Sequence, residues 1–303
     1  MKFGIIGAGR IGYGQNKINF NSHFFNYKKK KFKLEFLVDI NKKKYQFLKK
    51  KYKLKVFQNI NELKSENKTD VLSICVPPDK TLKVLKDLKR KKLLPSYVIL
   101  EKPISKNLQD LIRINKILER KNVYINLQRI FDKSFLKIIK NEKCQNLVVH
   151  YNGGLLNNGI HILTLLLHIY GRPKEVKQIL NFNKINNKKD PSLSFKISFK
   201  NFEAVILGFD NLRFNKCDFE FVSKNKTLIL RSGGTKKIIE KISNFPNLNN
   251  YKINIPTKIG PFTKINGLKY IMTDILNKKK PISNFLKLMY EAQLIIYKIK
   301  KNV

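Results

Sequence analysis

Six short apolar runs alternate with helical patterns through the first 126 residues, and that alternation limits the possible folds more than any other feature. The runs fall at 3–6, 33–38, 54–57, 71–75, 97–100 and 123–125, the third weaker than the rest. Helical segments are predicted between them at about 10–19, 42–52, 79–92 and 107–121. In the last of these, Leu108, Leu111, Ile112, Ile114 and Leu118 share one side. Strands that read as unbroken apolar runs are buried on both faces, which antiparallel hairpins rarely achieve and βαβ crossovers do. The pattern predicts an α/β fold, a doubly wound parallel sheet, over residues 1–126.

Sheets of this kind take ligands outside the carboxyl ends of their strands, and the informative residues lie at those ends. After the first run comes Gly7-Ala8-Gly9-Arg10-Ile11-Gly12. Gly7 suits a tight turn, Gly9 a close backbone approach to pyrophosphate, and Gly12 tight helix–strand packing. The second run closes on Asp39, a carboxylate able to accept hydrogen bonds from an adenosine ribose. Val76-Pro77-Pro78 follows the fourth run and Glu101-Lys102-Pro103 the fifth. Together these predict dinucleotide binding. Asp39 welcomes a 2′-hydroxyl and repels a 2′-phosphate, so NAD is expected over NADP. Lys42, Lys43 and Lys44 could offset that repulsion, or form the solvated start of a helix.

Residues 127–303 change period. Leu193, Phe195, Ile197 and Phe199 alternate with Ser194, Lys196, Ser198 and Lys200, as in a strand with one wet face. Further strands are expected at 203–209, 215–222 and 226–231. Two amphipathic helices follow. The first should bury Leu268, Ile271, Met272, Ile275 and Leu276. The second, capped by Ser283, should bury Phe285, Leu288, Met289, Ala292, Ile295 and Ile299. This second domain is predicted as α+β, a mostly antiparallel open sheet with helices on one face.

Alcohol oxidation by a nicotinamide needs a base within reach of the hydroxyl. Lys102, closing the fifth strand, is the candidate; burial and a cationic ring both favour its losing a proton. In Gly153-Gly154-Leu155-Leu156-Asn157-Asn158-Gly159-Ile160-His161, a helix starting near Leu155 would put Asn157 and His161 on one face. His161 could donate or accept a substrate proton, and Asn157 could orient a hydroxyl. Gly159 costs a helix interior ~1 kcal/mol, so something such as the nicotinamide ring is expected to approach it closely. His168 is two turns on and suits helix-dipole compensation. His23 and His150 have no identifiable partners, and no metal site is expected.

The chain carries 63 Lys+Arg against 21 Asp+Glu, a formal +42, which raises the question of nucleic acid or an anionic membrane. Only eight of the 63 are Arg, Trp is absent, and Ala occurs only at Ala8, Ala204 and Ala292. Such a composition is what A- and T-rich codons yield. The lysine runs do not form one stripe with interleaved aromatics, so neither specific nucleic-acid binding nor membrane binding is expected. Cys75, Cys144 and Cys217 are odd in number and widely spaced, as buried thiols of a cytoplasmic protein are. No signal peptide precedes the first strand. The most apolar run, 160–170, is about half of the ~20 residues a membrane span needs.

In sequence order, the glycine fingerprint, Glu101-Lys102-Pro103 and Gly159-x-His161 resemble the glucose–fructose oxidoreductase/inositol dehydrogenase (Gfo/Idh/MocA) family over essentially the whole chain. The resemblance implies a Rossmann domain joined to an open-sheet domain that holds the substrate and mediates homodimers or homotetramers. It implies Lys102 and His161 as catalytic residues and Glu101 near the nicotinamide. Arg129 stands where the family often has an arginine, in a substrate or structural role. Many members carry Asp four residues before the His, where this chain has Asn157, and Asp three residues after it, where it has Thr164. The Asn form is similar to members acting on nucleotide sugars in surface-polysaccharide pathways. A short segment between Phe131 and Gly153 would suit such a bulky substrate. It also leaves open a weakly active or inactive NAD(H)-binding regulator or scaffold.

Overall fold

The computed structural model describes residues 1–14, 22–140, 146–179, 189–244, 252–260, 266–281 and 283–301. Strands β1 (Lys2–Ile6), β2 (Lys33–Val38), β3 (Val56–Phe57), β4 (Val71–Ile74), β5 (Tyr97–Leu100) and β6 (Asn122–Ile125) form one sheet. Its order is β3-β2-β1-β4-β5-β6, with every pair parallel. This is the doubly wound arrangement, with the strand order reversing between β1 and β4. All four side chains of β4 and of β5 are buried, which is why these runs carry no polar alternation.

The crossover helices α1 (His23–Lys29), α2 (Lys42–Tyr52), α3 (Thr81–Arg90) and α4 (Leu108–Leu118) supply the cover. α3 buries Val84, Leu85 and Leu88, and α4 buries Leu111, Ile114 and Leu118. Each such side chain contributes roughly 1.5–3 kcal/mol relative to exposure. Asn41 caps α2 and Asn107 caps α4, each accepting a backbone N–H with its side-chain oxygen.

Of the helix predicted over 10–19, the described part, residues 10–14, is not helical. Residues 10–13 form turns, with the Tyr13 and Gly14 N–H groups both donating to Gly9 O at 3.0 Å, and residues 15–19 lie outside the described set. Among the described residues, the first helix after β1 begins at His23, capped by Ser22. Its first N–H groups nevertheless bond back to the glycine turn, His23 to Ile11 O and Phe24 to Gly12 O, each at 2.9 Å.

By contacts, the chain forms two compact units: residues 1–131 with 266–290, and 132–265 with 291–303. This cuts the sequence differently from a single boundary after residue 126. α5 (Gln128–Phe131) and α8 (Gly267–Leu276) belong to the first unit. Gly267 sits so close to the Gln128 backbone that a Cβ there would lie 2.5 Å from it. Phe285 packs on Phe131, with ring centroids 4.8 Å apart, and near Tyr124, whose hydroxyl donates to Lys279 O. Leu276, expected in the core, is 38% exposed, since α8 ends there and turns its last residue to solvent. The helix cap expected at Ser283 is Asn284, whose Oδ1 accepts the Lys287 N–H at 3.0 Å.

The second unit is built on an eight-stranded sheet of β7 (Asn146–Asn152), β8 (Glu175–Gln178), β9 (Phe195–Ser198), β10 (Glu203–Phe209), β11 (Cys217–Val222), β12 (Lys226–Arg231), β13 (Lys236–Asn244) and β14 (Lys252–Gly260). The order is β14-β13-β12-β11-β7-β10-β9-β8. One pair, β7 with β10, is parallel, and the others are antiparallel. Phe195 and Ile197 are buried as their period of two requires. Ser194, expected on the wet face, is buried and accepts the Gly208 N–H on its Oγ at 3.0 Å. Helices α6 (Lys133–Lys140), α7 (Ile160–Tyr170) and the end of α9 (Phe285–Lys301) complete the unit. Cys144 lies outside the described residues. Among those described, no helix is long and apolar enough to cross a membrane.

Candidate active site

At the switch point between β1 and β4, the chain leaves β1 through Gly7, with φ +86°. A Cβ there would sit 2.5 Å from Cys75 O, and one on Gly12 would run into Gly7 O. These two glycines are therefore demanded by the protein's own packing. Gly9 is different: no atom lies within 4 Å of the place its Cβ would take. It opens on a cleft of about 530 Å³ that Gly7, Asp39, Val76 and Pro77 also line. Ala8 is buried beneath the turn, while Arg10 and Ile11 are exposed.

Asp39, only 8% exposed, uses Oδ1 to accept the Asn41 N–H at 2.8 Å. Of the three lysines that follow, Lys44 is committed elsewhere. Its Nζ donates to Gly14 O at 2.7 Å and lies 4.7 Å from the centre of the Tyr13 ring, and burial pushes its pKa down. The cleft has further walls that the sequence pattern did not single out: Ile40, 78% exposed, Asn59 and Asn61 after β3, and Lys80 and Lys83 at the start of α3. The rule that ligands sit at strand carboxyl ends could have flagged Asn59, but β3 is only two residues long and its end is hard to read.

Beside the cleft, β5 runs into Glu101 and Lys102, both half-buried, and the Lys102–Pro103 peptide is cis. Glu101 Oε1 accepts from Asn126 Nδ2 at 2.7 Å and lies 2.7 Å from His23 Nε2. His23, without identifiable partners in the sequence, is thus fully buried and bonded on both ring nitrogens, with Ser73 Oγ 2.8 Å from Nδ1. Cys75 completes the cluster; burial pushes its thiol well up, and the Glu101 charge adds to that. His23, Cys75 and Glu101 place their ligating atoms within 4.8 Å of one another. Where no metal site was expected, this is the one candidate cluster among the described residues. The hydrogen bonds just given account for both ring nitrogens of His23 and for Glu101 Oε1.

The structure offers a fit for the cofactor at two points. Open space in front of Gly9 allows a pyrophosphate to approach its backbone. Asn126, 4% exposed, leaves its Oδ1 without a donor among the described residues. A buried acceptor left open next to Glu101 is what a donor on a ligand would complete.

In the second unit, β7 ends in Gly153 and Gly154, with φ +82° and +93°. Leu155–Gly159 then makes one π-helical turn, and α7 starts at Ile160. The turn that carries Asn157 is therefore π-helical, where an α-helix starting near Leu155 was expected, and His161 follows it in α7. Asn157 is exposed, its Nδ2 donating to Gly153 O at 3.1 Å, while His161 stands half-buried in the first turn of α7. What approaches Gly159 is not left for a ligand. A Cβ there would lie 2.8 Å from Leu155 Cδ1 and 3.3 Å from the Tyr151 ring.

Asp190, absent from the candidates above, caps this turn, accepting from Leu156 N–H at 2.8 Å and Asn157 N–H at 2.9 Å. Lys300 pairs with it at 3.2 Å, and a Cβ on Gly154 would collide with its carboxylate. It follows a stretch with no strand or helix pattern, so nothing in the sequence tied it to Gly154. His168 is pushed down by burial and then by Lys140. That shift works against the dipole compensation expected of it in the last turn of α7. Arg129 lies half-buried on α5 in the first unit.

Gly7, Gly9, Asp39, Val76 and Pro77 thus share one cleft, Glu101 and Lys102 follow one strand, and Asn157 lies in a π-helical turn with His161 just after it. Solved structures share the fold at low identity. The dehydrogenase MviM from Clostridium difficile is 19% identical, with a TM-score of 0.74 over 100% of this chain and 99% of its own. A UDP-N-acetylglucosamine 3-dehydrogenase from Acidithiobacillus ferrooxidans is 13% identical, with a TM-score of 0.75 over 98% and 96%. A 3-ketoreductase from Actinomadura kijaniata, in complex with TDP-benzene and NADP, is 10% identical, with a TM-score of 0.70 over 97% and 95%. No curated protein matches the chain at a significant level. Residues 1–128 match the model of the Gfo/Idh/MocA family, described as oxidoreductases with an NAD-binding Rossmann fold.

Proposed function

We propose that this chain is an NAD-dependent oxidoreductase acting on a sugar hydroxyl or ketone, the sugar being carried on a nucleotide and destined for surface polysaccharide. The observation that carries the proposal is Lys102, which leaves β5 next to a Glu101 carboxylate held by two partners, His23 and Asn126. Gly7, Gly9, Asp39, Val76 and Pro77 would hold the dinucleotide, with Asp39 favouring the 2′-hydroxyl of NAD. Arg10, Ile11 and Ala8 shape the turn, and Asn126 Oδ1 would accept from the ligand. A bound nicotinamide supplies the hydride acceptor or donor. Lys102 Nζ takes the hydroxyl proton in the oxidative direction and returns it in the reductive one. His161 serves as the second proton-handling group, Asn157 orients a hydroxyl, and Arg129 takes a substrate or structural role. The nucleotide-sugar class draws support from the named activity of the Acidithiobacillus ferrooxidans neighbour. Assembly as a homodimer or homotetramer in the cytoplasm belongs to the same proposal.

A second reading, cofactor binding without turnover, is favoured by Asn157, which cannot act as a base and spends its amide on Gly153 O. The two are separated by titrating NADH by fluorescence and then assaying a panel of nucleotide sugars with wild type and Lys102→Met. Turnover that disappears in the mutant while NADH binding stays supports the first reading. Tight NADH binding with no turnover across the panel supports the second, and turnover unchanged by Lys102→Met removes Lys102 from the mechanism.

A further inference from the structure

Behind Glu101 lie side chains that cofactor binding and proton transfer leave unused. His23 and Tyr27, one turn apart on α1, are both fully buried, as is Ser73 on β4. Tyr27 Oη lies 2.8 Å from Ser73 Oγ, Ser73 Oγ 2.8 Å from His23 Nδ1, and His23 Nε2 2.7 Å from Glu101 Oε1. The direction of each bond can be assigned. Glu101 as a carboxylate only accepts, and its Oε1 also accepts from Asn126, so in the neutral imidazole the single ring proton of His23 sits on Nε2. Nδ1 is then the acceptor, for the Ser73 hydroxyl, and Ser73 Oγ accepts in turn from Tyr27. Every link runs one way, toward Glu101.

This chain of bonds does not look like a route for protons. Its far end, Tyr27, has no exposed surface, and burial pushes its hydroxyl far above the usual phenol value. A proton sent along it would have nowhere to go. What the chain can do is fix orientation: a carboxylate gripped by two N–H donors, one on a ring that is itself held from behind, has one rotamer.

The start of α1 points the same way. His23 N–H reaches Ile11 O and Phe24 N–H reaches Gly12 O, partners twelve residues back. Leave out eight residues and these become the ordinary four of an α-helix. α1 thus continues the hydrogen bonding of the turn begun at the glycine fingerprint, with His23 behind Glu101.

We propose that His23 is a positioning residue of the hydride-transfer site, orienting the Glu101 carboxylate through a one-way chain from Tyr27 and Ser73 and so fixing the aim of the adjacent Lys102. The proposal rests on the assignment of Lys102 as base. It is tested on the full chain in two ways.

The first way needs no turnover. The chain has four histidines, so ¹⁵N-histidine NMR, with His23→Gln to assign the signal, reads the tautomer directly. The Nε2–H form is expected, with its signals moved by Ser73→Ala and by Glu101→Gln. An Nδ1–H form, or signals unmoved by either change, overturns the chain. The second way compares His23→Leu with His23→Gln, whose amide can still donate to Glu101, monitoring melting and NADH binding alongside turnover. The Leu variant should lose about tenfold or more in kcat with KM for the sugar within about twofold, and the Gln variant should recover most of it. Equal losses in the two, tracking the drop in melting temperature, would mean a packing role only and overturn the proposal. The two readings fail separately: turnover that survives Lys102→Met removes the base assignment, whereas the tautomer decides the His23 chain by itself.

Discussion

Replacing Gly9 by Ala separates the needs of the protein from those of its ligand. Gly7 has a positive φ, and a Cβ on Gly12 would strike the Gly7 carbonyl, so substitution there costs folding and says little about binding. Gly9 has no positive φ and nothing within 4 Å of a built Cβ. Ala fits it without strain and restricts the unfolded chain, an effect of about 0.4–1 kcal/mol in favour of the fold. For a domain of this size that moves the melting temperature by only about 1–4 °C. In the complex, the added methyl occupies the space in which a pyrophosphate would reach the backbone. Losing one charge-assisted hydrogen bond costs about 1.5–3 kcal/mol, or roughly 10- to 150-fold in Kd. Fluorescence titration with NADH, beside a melting curve, measures both. A stable Gly9→Ala protein that binds NADH as tightly as wild type would refute the placement of the pyrophosphate at this turn.

Three further outcomes follow from the same geometry. Asp39→Ser removes the charge that repels a 2′-phosphate, so the ratio of NADP to NAD affinity should rise by about tenfold, ~1.4 kcal/mol; competitive binding of the two cofactors reads it, and an unchanged ratio removes Asp39 from the ribose. Asp190→Asn keeps at most one of the two N–H bonds that cap the Leu155–Gly159 turn and loses the Lys300 partner. It should cost about 1–2 kcal/mol in urea unfolding and lower kcat more than it raises KM. Asp218 concerns acid stability. Burial pushes its carboxyl up, but Lys216 at 2.7 Å, Arg231 at 3.0 Å and the Ser232 N–H outweigh this and leave its pKa below the usual 3.8. A depressed folded value means its contribution is complete above about the usual value and is lost as pH falls through the folded one. Asp218→Asn should flatten the acid limb of stability below that point, and a limb of wild-type steepness would contradict this.

The parallel sheet was legible because burial on both faces leaves no polar alternation: β5, with all four side chains buried, begins and ends at the residues its apolar run predicted. The cofactor cleft was legible for a related reason, since the rule about strand ends converts a strand pattern into a list of loop residues. Local features failed where a tertiary partner decided the outcome. His23 has no helical signal of its own; Ser73 and Glu101 explain it, and both are distant in sequence. Gly159 suggested a ligand because a glycine in a helix needs a reason, and the reason is the Leu155 side chain together with the Tyr151 ring. The π-helical turn before α7 has no distinct residue pattern, because it depends on Asp190, which caps it from 33 or 34 residues away. The position of α8 and the start of α9 with the first unit was also hidden, since an amphipathic stripe says that a face is buried but not against what.

The most direct test of the account follows a label. Nucleotide sugars carrying deuterium at single ring carbons are incubated with the protein and NAD⁺, and the mass of the NADH formed is measured. Hydride transfer from a sugar carbon predicts NADH heavier by one deuterium from one labelled position in wild type, and none from Lys102→Met. NAD⁺ that binds tightly and stays oxidised with every labelled sugar would contradict the account and leave the protein a cofactor-binding regulator.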